Sequence, residues 1–157
     1  MKLMLVDDHP LFLEGLQYLL ETHGISVAGV ANNGGEALLK ARIIRPDIIL
    51  MDINMPVCGG LDALQLIKAE MPEIKIIMLT IADDAEDLLQ AVKYGASGYL
   101  LKSINANELI DALNDIEKGY TNLSPDFAAR LFNEYEREDT AFPPFRQTHS
   151  PSGSWRY

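Results

Sequence analysis

The chain has a single cysteine, Cys58, among its 157 residues. An internal disulfide is therefore excluded, and a reducing compartment, the cytoplasm, is the expected location. Positive charge is scarce: 13 Lys and Arg stand against 23 Asp and Glu, a net charge of −10. Nucleic-acid phosphates are gripped by clustered Lys and Arg, so this balance argues against nucleic-acid binding through this chain. A protein partner or a cation stays open. No apolar run approaches the ~20 residues needed to cross a bilayer, so no membrane contact is expected. Met1–Val6 is too short for a secretory signal core and runs straight into Asp7-Asp8. There is one tryptophan, Trp155, and it lies in a stretch without apolar periodicity, so it is not a core candidate.

What the chain does have is apolar content, 48%, and enough length for one domain with a sizeable core plus a short appendage. Lys2–Val6, Ile25–Val30, Ile48–Met51, Ile74–Leu79 and Ser97–Leu101 read as strands. Their near-continuous apolar character suits a parallel sheet covered on both faces. Helical periodicity fills the gaps. Phe12, Leu16, Leu19 and Leu20 share a face after Pro10, and Ala37, Ala41 and Ile44 share one after the turn Asn32–Gly35. Leu61, Leu64 and Ile67 follow, then Leu88, Leu89 and Val92 behind a cap at Asp83 or Asp84. Gly24 and Gly95 are helix stops. Asn105 with Glu108 resembles a capping box ahead of Leu109, Leu113 and Ile116. Five strands alternating with five helices predict an α/β domain with a mainly parallel sheet.

The pattern divides the chain into a domain over 1–120, a helix within 121–139 and a tail over 140–157. The helix starts at Ser124-Pro125 and carries Ala128, Leu131, Phe132 and Tyr135 on one face. That apolar stripe invites a homodimer contact. The tail is polar and proline-bearing, and is expected to be a disordered remnant of a linker.

The chemistry gathers where strands end. Asp52 closes the third strand, Asp7 and Asp8 follow the first, Thr80 the fourth and Lys102 the fifth. Open α/β sheets place their ligand crevice at this carboxyl edge. Three carboxylates there repel one another and invite a cation, and an all-oxygen set suits Mg²⁺. Asp52 is then placed to act as a nucleophile towards phosphorus. Lys102 and the Thr80 hydroxyl would meet the oxygens of the transferring group. Each residue alone has a blander use: Asp7 and Asp8 as helix caps, Lys102 as a solvated surface lysine, Thr80 in a turn, Tyr99 in packing. His9 reads as a polar loop residue and Cys58 as an incidental loop thiol. The combination is what carries the sharper reading.

Four fragments in this order, Asp7-Asp8-His9-Pro10, Met51–Pro56, Leu79-Thr80 and Gly98–Lys102, resemble the receiver domain of two-component response regulators. The resemblance covers about residues 1–120. Around Asp8–Gly15 and Leu100–Ser103 it is most similar to the NarL/FixJ (LuxR-type) class. It implies a flavodoxin-like (CheY-like), doubly wound five-stranded parallel sheet of order 2-1-3-4-5, with the extra C-terminal helix. It also implies that Asp52 accepts a phosphoryl group from a sensor histidine kinase. Asp8, Asp52 and the backbone carbonyl of Asn54 would bind Mg²⁺, and Asp7 would act through water. Thr80 and Lys102 would contact the phosphoryl group. Thr80 and Tyr99 would form the switch, the Tyr99 ring turning inward as Thr80 moves. The class implies transcription regulation through a helix-turn-helix domain, for which Thr140–Tyr157 is far too short, so DNA would be reached through a domain absent from this sequence.

Two departures stand out: Ser103 where many receivers have proline, and Ile81, which would narrow access to Asp52, where many have a small residue. Two rival readings accompany the switch. A haloacid-dehalogenase-like phosphohydrolase would want a second acid two residues after Asp52, where this chain has Asn54. A phosphorylation-independent interaction module would have no use for the full acidic set.

Overall fold

The computed structural model describes residues 1–82, 84–120 and two short strands near the C-terminus. The elements run β1 (Leu3–Val6), α1 (Pro10–Thr22), β2 (Val27–Ala31), α2 (Gly34–Ile44), β3 (Ile48–Asp52), α3 (Gly60–Glu70), β4 (Lys75–Thr80), α4 (Ala85–Lys93), β5 (Gly98–Leu101) and α5 (Ala106–Glu117). The five strands form one parallel sheet in the order β2-β1-β3-β4-β5. Periodicity placed the strands to within one or two residues, and the implied sheet order is the one observed.

Burial on both faces explains why the strands read as unbroken apolar runs. Alternate residues point to opposite sides. Met4, Val6, Ile49, Met51, Ile76, Met78 and Tyr99 face one layer, against Ala37, Ala41, Leu64, Ile67, Leu88 and Ala91. Leu3, Leu5, Ile48, Leu50, Ile77, Leu79 and Leu100 face the other, against Leu13, Leu20, Leu109, Leu113 and Ile116. So α2, α3 and α4 cover one side of the sheet, and α1 and α5 the other.

The caps follow local chemistry. Asn33 accepts from the Glu36 N–H, Asp84 from those of Glu86 and Asp87, and Asn105 from that of Glu108. Gly24 and Gly95 stop α1 and α4 at φ of 79° and 94°. One face is shifted from expectation. In α1 the fully buried residues are Leu13 and Leu20, while Phe12, Leu16 and Leu19 are half-buried. The helix aims Leu13 and Leu20 at the sheet, and the other three line a groove beside Ile104 and Leu109 of the α5 side. In α3 it is Ala63, with Leu64 and Ile67, that is buried, Leu61 being half-buried.

The expected linker helix in 121–139 lies outside the described residues, as does most of the tail. Within the tail, β6 (Thr148–His149) and β7 (Trp155–Arg156) pair antiparallel over two residues, a pairing that composition alone did not suggest. Among the described residues, no helix is long and apolar enough to cross a membrane.

Candidate functional site

Strand register assembles the site. Val6 is level with Met51, Asp52 with Leu79, and Thr80 with Leu101. Hydrogen bonds continue past the strand ends: Asp7 N–H to Ala31 O at 3.1 Å, Ile53 N–H to Leu79 O at 2.9 Å, and Lys102 N–H to Thr80 O at 2.7 Å. The backbone beneath Asp7, Asp52, Thr80 and Lys102 is therefore fixed by the sheet itself. Behind it, α3 begins at Gly60, where a Cβ would collide with the Asp52 carbonyl oxygen and the Ile53 Cα. Only a residue without a side chain lets α3 start this close to the end of β3.

The side chains converge as the sequence predicted. Asp7, Asp52 and Thr80 are buried, at 1%, 3% and 1% exposure. Lys102 Nζ lies 2.6 Å from Asp7 Oδ2 and 3.5 Å from Asp52 Oδ1. Its ammonium also stands over the Phe12 ring, 4.4 Å from the centroid, a cation–π contact that holds it in place. Asp7 Oδ1 accepts the His9 backbone N–H at 2.9 Å and meets His9 Nδ1 at 2.9 Å. Asp7 is thus occupied on both oxygens. Asp52 is bound more loosely: its Oδ1 accepts the Asn54 N–H at 3.4 Å and sees Lys102 only at 3.5 Å.

Electrostatics follow from this packing. Burial pushes the Asp52 carboxyl above its ordinary value, and the neighbouring Asp7 charge adds to the push, while Lys102 and the Asn54 N–H oppose it. The hydrogen bond to Asp7, with the Asp8 charge beside it, raises His9. Asp8 Oδ1 is buried and accepts no hydrogen bond, although His9 Nδ1 lies 3.1 Å away off the bonding direction. An orphaned carboxylate oxygen of this kind is what a cation completes. Asp7, Asp8, His9 and Asp52 each offer a ligand atom, all within 4.8 Å of one another. The residues present therefore fit a divalent ion, with hard oxygen donors suited to Mg²⁺.

The remaining sequence-predicted residues fall as follows. The Thr80 hydroxyl donates to Ala82 O at 2.8 Å and accepts from Ala82 N–H at 3.2 Å. Tyr99 is fully buried, and its hydroxyl donates to Asp84 O at 3.5 Å. Asn54 is exposed in the loop after β3. Ile81 is 78% exposed at the rim. Cys58 is half-buried, and burial, with the Asp62 charge beside it, pushes its thiol up, which disfavours the reactive thiolate. Sequence reasoning missed Phe12 under Lys102, and it missed how closely His9 engages the acids. The signal for Phe12 was its place in the first turn of a helix that starts at the site.

A parallel sheet of this order, with an acidic cluster, a lysine and a threonine at its carboxyl edge, defines the receiver class of signalling domains. The chain belongs to the response regulator receiver domain family, whose family model matches residues 3–114. It is 39% identical over 138 residues to the transcriptional regulatory protein LnrK of Bacillus subtilis (strain 168), covering 87% of this chain and 63% of that protein. The chain thus spans under two thirds of that relative's length. The two-component response regulator of the LuxR family from Aurantimonas sp. SI85-9A1 superposes with a TM-score of 0.79 at 36% identity, over 86% of this chain and 97% of that one. The signal receiver domain of the putative response regulator NarL from Mycobacterium tuberculosis gives a TM-score of 0.72 at 31% identity, over 75% and 96%. The chain is a response regulator receiver domain whose relatives are transcriptional regulatory proteins of LuxR and NarL type.

Proposed function

We propose that Asp52 is the phosphoacceptor of this receiver and that its donor is the phosphohistidine of a sensor histidine kinase. A carboxylate oxygen of Asp52 forms the new O–P bond as the N–P bond to the donor imidazole breaks, and the imidazole departs with the electron pair. Three observations support the assignment. Asp52 closes the central strand, it is buried, and of the two carboxylates that Lys102 reaches, Asp7 and Asp52, it is the one held less tightly. The last of these carries the reading, because a nucleophile needs an oxygen not already committed, and Asp7 has both of its oxygens engaged.

Asp8, Asp52 and the Asn54 carbonyl are the proposed Mg²⁺ ligands, with Asp7 acting through water. Bound there, the ion supplies positive charge for the phosphoryl oxygens. Lys102 neutralises a further oxygen, drawing on the reach it already shows towards Asp52. Thr80 is the proposed hydroxyl donor. To serve, it exchanges its bond to Ala82 for one to the phosphoryl group, and the buried Tyr99 ring is the packing element that responds.

The domain modifies itself and turns over no separate small molecule in this reading. Cytoplasmic location, homodimer formation, and DNA binding through a further helix-turn-helix domain of a longer protein belong to the same proposal. Incubation with Mg²⁺ and a small phosphodonor, followed by intact-mass spectrometry, tests it. One phosphoryl adduct on the wild type and none on Asp52→Asn is the expected result. Equal adducts on both proteins would place the acceptor elsewhere.

A further inference from the structure

His9 is an exposed side chain doing something specific. Its imidazole is 67% exposed, yet Nδ1 sits 2.9 Å from Asp7 Oδ1 and 3.1 Å from Asp8 Oδ1. Facing two carboxylate oxygens, that nitrogen carries its hydrogen. Although His9 is the N-cap residue of α1, its side chain caps nothing. We propose that the His9 imidazole is a built-in competitor for the divalent cation: it occupies the space between Asp7 and Asp8, and it must swing out before Mg²⁺ settles there. The inference rests on the Mg²⁺ site proposed above.

Three features carry it. First, the donors overlap. Asp7, Asp8 and Asp52 are the acids offered to the cation, and the His9 nitrogen lies within the same 4.8 Å cluster. A hydrogen-bonded imidazole and a hydrated Mg²⁺ compete for the same lone pairs. Second, Mg²⁺ prefers oxygen ligands and retains its waters, so displacement is favoured over recruiting the imidazole as a ligand. Third, departure is easy. The side chain is mostly in solvent, and the backbone N–H of His9 stays bonded to Asp7 Oδ1 at 2.9 Å when the ring leaves. The loop is held while the ring moves. Lys102 is the other cation on Asp7, but it sits on the opposite oxygen, Oδ2, and does not contest the same position.

Calorimetric titration of Mg²⁺ at one fixed pH tests the idea on the full chain. His9→Ala and His9→Leu both remove the hydrogen-bond donor, and neither removes a cap or a buried contact. Each is expected to bind Mg²⁺ roughly 3- to 10-fold more tightly than wild type, the equivalent of one net hydrogen bond no longer opposing the ion. Wild-type or weaker affinity in both variants would overturn the inference while leaving the Mg²⁺ site intact. A wild type that takes up no Mg²⁺ would overturn the site reading, and the inference with it. A second readout is the ¹H–¹³C resonance of the His9 ring, assigned by its loss in His9→Ala. On saturation with Mg²⁺ it is expected to move to the position of a solvent-exposed histidine. A resonance that stays put while Mg²⁺ binds would count against displacement.

Discussion

Burial and the Asp7 charge both favour the neutral form of Asp52, against the opposing pull of Lys102 and the Asn54 N–H. The sign of the consequence is fixed. A carboxyl whose folded-state pKa lies above its unfolded value contributes stability at low pH and loses it as pH rises through the folded value. In chelator, Asp52→Asn is therefore expected to melt above wild type at neutral pH, by about 1 kcal/mol, and the gap is expected to close as pH falls. Thermal melts of both proteins across that range check it, and a gap independent of pH would contradict it. Val57 offers a second residue-scale case. It is β-branched, 98% exposed and held at φ 66°, a region such residues avoid. Val57→Gly should raise the melting temperature, with about 1 kcal/mol of strain relieved. The acids, Thr80 and Lys102 were legible because a strand end fixes where the next residue points. Phe12 and His9 were not, because their positions depend on how α1 turns away from the sheet after Pro10.

At the scale of elements, the junction between β3 and α3 is the tightest point near the site. A methyl group on Gly60 meets backbone on two sides, at Asp52 and Ile53, and backbone cannot rotate aside. Gly60→Ala is expected to destabilise the fold by about 1–3 kcal/mol, and to impair phosphoryl uptake by the part that remains folded. Chemical denaturation and intact-mass labelling measure the two effects separately. Wild-type stability would mean that α3 shifts without cost. The helix α5 cap is a milder case: Asn105→Ala should cost about 1 kcal/mol, read by the same denaturation experiment. The caps at Asp84 and Asn105 were readable because side chain and backbone partner lie within three residues of each other. The buried face of α1 was not. Phe12, Leu13, Leu16, Leu19 and Leu20 make more than one apolar stripe, and only the position of α5 decides which of them meets the sheet.

For the molecule as a whole, alternating strand and helix patterns were enough for a parallel α/β domain, because burial on both faces writes itself into the strands. Periodicity does not encode sheet order, which depends on which side each crossover takes; the family resemblance supplied it. With Mg²⁺ held by the acidic cluster as proposed, overall stability becomes a function of the cation. At a Mg²⁺ concentration a hundredfold above its dissociation constant, the fold is expected to gain about 2.7 kcal/mol, and Asp52→Asn most of that less. Scanning calorimetry with and without Mg²⁺ measures it, and equal shifts in both proteins would argue that the ion binds elsewhere. The Lys102–Asp7 contact spans 95 positions of the chain. On the ribosome, Asp52 is made well before Lys102, and β5 is the last strand to be delivered to the sheet's edge. An unfinished chain thus carries the proposed acceptor without the lysine beside it, so on this reading competence to receive a phosphoryl group arrives only with nearly complete synthesis of the domain.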